Sequence, residues 1–332
     1  MTKRCMVRAD RFVDDSLNGI YGAYAGFYQR AGGDNRALVH RGAKERRVAI
    51  VTGGGFGHLP LFLGYVGDGL CDGCAVGNVF TSPSCDTILA AARAVAREEG
   101  VLFLFGNYFG DGMNFEMAGE TLAEEGIRTA IVKASDDVAS APRGEWRERR
   151  GIAGAALLYK IAGAYADMGA NLEELRALTE DAAERLSSFG VAFSSCTLPG
   201  EEHPVFTIGG DEMEIGMGIH GEPGVKRGKM LPADELARQL ADGLTADQRL
   251  AGGARVAVLV NGLGATSREE LYTLYPYVAS RLEESGAKIV KTYVGEFATS
   301  LEMAGLSVSV LRLNETLERL LDQPVYTPFL AF

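Results

Sequence analysis

Histidine is scarce in this chain: His40, His58, His203 and His220 are the only four in 332 residues. Basic charge is short as well, with 33 lysines and arginines against 44 acidic residues and a net charge of −11. That balance argues against nucleic acid or an anionic membrane surface as a partner, since both attract basic patches. Long apolar runs are missing, and none approaches the ~20 residues that cross a bilayer. Met1-Thr2-Lys3-Arg4 leads into a polar, acidic stretch rather than the apolar core of a signal sequence. The expectation is a soluble, cytoplasmic protein. The five cysteines are odd in number, which fits reduced thiols better than a disulfide framework. Cys71 and Cys74 have CxxC spacing but lack the second pair of a zinc site, and a strand-like segment follows them where a redox pair would open a helix. A structural role is expected for both.

What is present is an ordinary globular composition, 47% hydrophobic and 23% charged, able to bury a large core. The length exceeds the roughly 100–200 residues of a typical domain, so two are expected. Strands are expected at 47–52 (RVAIVT), 73–80, 101–105 (VLFLF) and 129–133 (TAIVK). Ser82 as an N-cap, with Pro83 at the first helical position, announces a helix over 83–97. A second helix is expected over 113–125. The repeated order of strand, loop and helix predicts an α/β layer with largely parallel pairing. Two long helices follow at about 152–168 and 171–188, and short strands at 191–197, 205–208 and 214–217 mark a change of pattern. The boundary therefore falls between an N-terminal α/β domain over 1–188 and a C-terminal α/β domain over 189–332. The second domain closes in a strand at 255–260, a helix at 267–282, and strands at 288–294 and 307–313. Ser267 and Glu270 read as a capping box for that helix.

Two of the four histidines stand in glycine-rich turns. His220 lies in GMGIHGEPG at 216–224, where glycines strip away side-chain bulk and Pro-Gly enforces a turn. His58 lies in GGGFGHLP at 53–60. Two scarce histidines on two such turns suggest one site with two walls; the plainer alternative is a turn histidine capping local backbone in each case. Ligands of open α/β sheets gather at the carboxyl ends of strands, and three such ends carry polar residues: Gly53 to His58, Thr81-Ser82, and Gly106 to Asn114. Asp111, between Gly110 and Gly112, is expected to be exposed as His220 is; it also suits the N-cap of a helix beginning near Met113. No nucleotide fingerprint is complete. The 53–60 turn has no P-loop lysine, and 261–266 (NGLGAT) lacks the third glycine of a dinucleotide fold.

GGGFGHLP at 53–60, GNVFTSPSCD at 77–86, NYFGDGMNFEMA at 107–118, RRGIAG at 149–154, DEMEIGMGIHGEPG at 211–224, VNGLGATSREELY at 260–272 and TSLEMAGLSVSVL at 299–311 occur in this order. With these segments the chain resembles the DhaK-type substrate-binding subunits of the dihydroxyacetone kinases, from about residue 10 to the C-terminus. The resemblance implies two α/β domains of that type, with glycine-rich loops at strand ends forming a ketose site. It implies that a ring nitrogen of His220 bonds to the ketone carbon of a short ketose, giving a hemiaminal that glycerol cannot form. By position Asp111 matches the general base for the attacking hydroxyl, and His58 a histidine that hydrogen-bonds the substrate. The backbone amides of Gly54 and Gly55, with Ser82, are implied to hold the remaining hydroxyls.

The resemblance also implies a homodimer and a division of labour. No nucleotide or metal is expected on this chain, and ATP or ADP with magnesium belongs to a nucleotide-binding DhaL-type partner. Three positions depart from the dihydroxyacetone-specific pattern: Phe56 where serine is usual, Leu59 in place of glutamate, and Gly106 in place of a lysine at the edge of the pocket. Lys226 or Arg227 could replace that lost cation, though the plainer expectation for each is a solvated surface position. The departures point to another ketose, such as erythrulose or a branched tetrulose or pentulose. A second reading, from a different class, is a non-catalytic ketose sensor or transcriptional co-activator; Asp111 and His58 favour the enzyme.

Overall fold

The computed structural model describes residues 4–42 and 44–330. They form two compact units, and the chain passes between them more than once. One unit takes the residues up to Ala134, then 156–181 and the stretch from Arg319; the other takes Ser135–Ala155 and Ala182–Glu318. A single cut between residues 188 and 189 does not describe this division. The segment after Ala134 joins the second unit because its backbone is bonded there: Ser188 N donates to Asp136 O at 2.7 Å and Val138 N to Ser188 O at 3.0 Å. The buried Asp136 carboxylate also accepts from Ile152 N and Gly154 N, each at 2.9 Å.

The first unit opens with α1 (Phe12–Ala23) and the hairpin β1 (Tyr28–Ala31) and β2 (Asp34–His40). Then come β3 (Ala49–Phe56), β4 (Gly73–Val79), α2 (Cys85–Val95), β5 (Val101–Gly106), α3 (Phe109–Glu124) and β6 (Thr129–Ala134). Its sheet runs β1-β2-β4-β3-β5-β6. The four strands from β4 to β6 are parallel, as expected, and the hairpin adds an antiparallel edge. Val51, Phe103, Phe105, Phe115 and Leu122 pack with residues of α2 into the core on one face. The rings of Phe105 and Phe115 stack at 4.1 Å. On the opposite face Thr52 meets α4 (Ala155–Asp167) through a 2.8 Å hydrogen bond with the Tyr159 hydroxyl. The alternation of Val51 and Thr52 is the period-two geometry of a strand covered on both sides. The CxxC thiols belong to this interior. Burial pushes Cys71 up to about 12 and raises Cys74 well above its ordinary range, so both are poor nucleophiles, as a structural role requires.

The second unit follows α5 (Leu172–Glu184) with β7 (Leu186–Ala192), β8 (Glu212–Ile215), β9 (Lys226–Lys229), α6 (Ala233–Gln248), β10 (Arg255–Gly262), α7 (Arg268–Glu284), β11 (Lys288–Gly295), β12 (Gly305–Arg312) and α8 (Glu315–Leu321). Its sheet runs β11-β10-β12-β7-β8-β9 and is mixed: only β10 and β11 pair in parallel. The expected strand at 205–208 is irregular chain, and the one expected at 191–197 ends at Ala192. The Ser267–Glu270 capping box is present, with both reciprocal bonds. Helix α6 had no place in the sequence reading, yet Leu236, Leu240 and Leu244 recur every fourth residue and are buried. Replacing Leu240 with alanine is expected to cost about 2–5 kcal/mol in chemical denaturation, because its side chain sits wholly inside the second core. Among the described residues no helix is long and apolar enough to cross a membrane.

Candidate functional site

The first unit has a topological switch point, since β4 and β5 lie on opposite sides of β3. The sheet also parts there. β3 pairs with β5 only from Ala49 to Val51, while β5 stays paired with β6 as far as Gly106. Beyond Val51 the strand continues along β4 alone to Phe56, with a register shift between Gly54 and Phe56. Gly54 and Gly55 are therefore the end of a strand rather than an open turn. A Cβ at Gly55 would lie 2.7 Å from Thr81 N, so the loop after β4 rests directly on this backbone.

That loop differs from expectation. Ser84, not Ser82, caps α2, accepting from Thr87 N at 3.2 Å, and the helix starts at Cys85. Ser82 is left to another task. Its Oγ would lie 2.7 Å from a Cβ at Gly110, in the first turn of α3. Asn114 Nδ2 donates to Pro83 O at 2.7 Å and fastens the same turn. Helix α3 begins at Phe109, four residues earlier than expected, so Asp111 is its third residue and not its N-cap. Asp111 is also buried, at 4% exposure, where an open position was expected.

His58 is buried too. Its ring stacks on Phe80 at 4.7 Å and meets the edge of Phe62 at 6.4 Å. The glycine-rich turn thus places it beneath these two rings. Of the three departures, Phe56 is buried and packs its ring against Phe12 of α1 at 5.9 Å, which makes it a packing residue. Sequence reasoning missed Lys133 at the end of β6. Its Nζ lies 3.1 Å from Glu116 Oε1 and would lie 3.1 Å from a Cβ at Gly112, next to Asp111. The neighbouring strand thus supplies a cation at the first turn of α3. Lys226 and Arg227, the replacements considered from sequence, lie on β9 of the other unit, where Arg227 pairs with Glu214.

His220 belongs to that second unit, on a loop fixed at many points. Gly216 N donates to Gly190 O at 2.7 Å, Val225 N to Ile215 O at 2.8 Å, and Gly224 N to Glu214 Oε1 at 2.8 Å. Ser300, from the TSLEMAG segment, donates its hydroxyl to Ile219 O. Gly221 has φ of 85°, a left-handed conformation that suits glycine alone at no cost. Val205 and Phe206 lie over it. The Glu222 carboxylate takes two bonds from one residue: His220 N at 3.0 Å and His220 Nδ1 at 2.9 Å. Burial would raise the Glu222 carboxyl, but the hydrogen bond and the attraction from His220 outweigh it and hold the group at about 2. An ionised carboxylate can accept the Nδ1 proton, and in that tautomer of the neutral ring the lone pair lies on Nε2. The His220 side chain is 21% exposed. Such a dyad is equipped for nucleophilic attack on an electrophilic carbon.

The pH dependence of the dyad follows. A carboxyl lowered from 4.5 to about 2 stabilises the loop fully above pH 4.5, and the contribution is lost as pH falls through about 2. Protection of the His220 amide against hydrogen exchange, taken relative to the intrinsic rate at each pH, is expected to fall across that window and to stay high above it.

A family model described as the Dak1 domain matches residues 18–329. The chain belongs to the Dak1 family. This Dak1 chain is 46% identical to a D-erythrulose kinase of Mycolicibacterium smegmatis, over 96% of its own length and 54% of the relative's. It is 41% identical to the dihydroxyacetone-binding subunit DhaK of a PTS-dependent dihydroxyacetone kinase of Listeria innocua, covering 94% of one and 95% of the other. It thus spans about half of the erythrulose kinase and nearly all of the DhaK subunit. Among solved structures, the dihydroxyacetone kinase operon co-activator Dha-DhaQ superposes with a TM-score of 0.88 at 30% identity, covering 94% of this chain and 96% of that one. Two α/β domains are therefore the architecture of the Dak1 chain. Among its described residues no group of three or more His, Cys, Asp or Glu side chains is placed to hold a metal ion.

Proposed function

We propose that this chain is the ketose-binding part of a kinase, and that His220 carries the sugar as a covalent adduct. The observation that carries the reading is the 2.9 Å contact between His220 Nδ1 and Glu222, which leaves Nε2 as the nucleophile. Nε2 bonds to the ketone carbon, the carbonyl π pair moves onto oxygen, and that oxygen takes up a proton. Glu222 shares the Nδ1 proton of the resulting imidazolium. A ketose such as dihydroxyacetone or erythrulose can form this bond, whereas glycerol has no electrophilic carbon to offer. Asp111 then serves as general base for the terminal hydroxyl. The hydroxyl oxygen attacks the phosphoryl donor, its proton passes to Asp111, and the donor's P–O bond breaks with its electron pair on the departing nucleotide. His58 steadies the reacting oxygen, and Ser82 with the Gly54 and Gly55 amides binds the other hydroxyls. Gly106, the last residue of β5, is the remaining member of this substrate-binding set.

The donor, ATP or an ADP cofactor recharged with a phosphoryl group in place, is held with magnesium by a nucleotide-binding DhaL-type partner. The test is phosphorylation by the chain together with such a partner, offered dihydroxyacetone, both erythrulose enantiomers, a pentulose and glycerol. Turnover of one or more ketoses and none of glycerol is expected. The likeness to the Dha-DhaQ co-activator supplies the competing reading. A chain that captures a ketose but passes it no phosphoryl group with any donor would favour the sensor.

A further inference from the structure

The RRGIAG segment carries two arginines with different surroundings. Arg149 is 1% exposed and bound within the scaffold: Nη1 and Nη2 donate to Asp247 at 2.9 and 2.6 Å, and Nε to Ala141 O at 2.8 Å. Arg150 points to the His220 loop. Its Nε donates to Asp137 Oδ2 at 2.9 Å, and Nη2 lies 2.7 Å from the same carboxylate oxygen. Nη2 also donates to Gly216 O at 3.0 Å, at the point where the loop leaves β8. The third nitrogen reaches further. A Cβ at Gly218 would stand 2.8 Å from Arg150 Nη1 and closer still to the Glu222 carboxylate. Guanidinium and carboxylate thus share the space that any side chain at 218 would fill.

We infer that Arg150 is a positioning residue for the His220 imidazole, tying the loop to Asp137 and pressing on the turn from which Glu222 grips Nδ1. The inference rests on the proposed role of His220, which it deepens. The planar guanidinium is suited to the task because its fixed fork holds the Asp137 carboxylate and the Gly216 carbonyl while Nη1 faces the space beside Gly218. Asp137 is itself anchored, with its Oδ1 accepting from Ala139 N at 3.0 Å and its backbone N donating to Arg150 O at 3.0 Å. The clamp therefore pulls against a fixed point. The other charged groups beside the loop are Glu214 and Arg227, which pair with each other; Glu214 also holds Gly224 N. Those contacts fix the far end of the loop. Arg150 acts at its near end, on Gly216 O and beside Gly218.

The experiment compares the full-length chain with its Arg150→Met and Arg150→Lys variants, and reads the His220 Nδ1 proton by NMR without any sugar. A proton held in the bond to Glu222 gives a slowly exchanging, far-downfield signal. The expected result is loss or upfield movement of that signal in Arg150→Met, with partial recovery in Arg150→Lys. Affinity for a ketose that the wild type binds falls about ten- to hundredfold in Arg150→Met, the scale of a lost charge-assisted hydrogen bond. Arg149→Lys serves as the structural control: it lowers thermal stability and leaves the His220 signal in place. An unchanged His220 signal in folded Arg150→Met, or the same signal change in Arg149→Lys, overturns the inference. The NMR readout needs no sugar. A signal lost in Arg150→Met therefore supports the clamp even if no ketose adds to the wild-type chain, a result that would count against the proposed function alone.

Discussion

Replacing His220 with alanine is expected to lower kcat/KM for ketose phosphorylation by roughly 10³-fold or more, which is about 4 kcal/mol of transition-state stabilisation. A covalent tether turns a bimolecular encounter into positioning within one complex, and effects of that kind reach about 7–11 kcal/mol in favourable cases. The loop around His220 is built to hold the ring still, with Glu222 on Nδ1 and Ser300 on the neighbouring carbonyl. Alanine removes the nucleophile and leaves the backbone bonds of the loop in place. The loss should therefore fall chiefly on activity, with a smaller fall in melting temperature as the Glu222 carboxylate loses its Nδ1 partner. Discrimination against glycerol should disappear along with the activity, since it depends on a bond that only a carbonyl can make.

Replacing Asp111 with asparagine is expected to lower kcat by roughly 10²–10⁴-fold, the usual range for a general base. The pattern should be the reverse of a binding defect. The ketose still adds to His220, so adduct formation survives while phosphoryl transfer stalls. Asparagine is close in size to aspartate, which matters at a residue 4% exposed in the first turn of α3. Gly110 and Gly112 on either side leave that turn room for Ser82 and Lys133, so the substitution changes charge without disturbing its neighbours. A steady-state comparison of kcat with adduct affinity separates the two roles.

The glycine-rich loop around His220 stood out in the sequence because it is a local feature, but the grip of Glu222 on the ring two residues earlier was not anticipated. Four of the six strands of the first sheet were also plain, because continuous apolar runs such as VLFLF belong to strands covered on both faces, whereas the edge hairpin β1–β2 was missed. Exposure was misread. A histidine in a glycine-rich turn can be partly exposed, as His220 is, or lie beneath aromatic rings, as His58 does beneath Phe80 and Phe62. Nothing near residue 58 distinguishes the two. Ser82 and Ser84 offered the same capping chemistry two residues apart, and only the path of the chain decided between them. Helix α6 was available in the spacing of Leu236, Leu240 and Leu244 and was passed over. The discontinuous units follow from hydrogen bonds between distant segments, such as Asp136 with Ile152 and Ser188. Lys133 was hidden for the same reason: its nearness to Gly112 depends on the packing of β6 against α3.

The most direct test of the central claim is carbon NMR of the chain with ketoses labelled at the carbonyl carbon. For at least one short ketose the account predicts that the labelled carbon leaves the carbonyl region for a tetrahedral position, that the change is lost in His220→Ala, and that it persists in Asp111→Asn. A labelled carbon that stays in the carbonyl region for dihydroxyacetone, both erythruloses and a pentulose, or a tetrahedral signal that survives in His220→Ala, would contradict it.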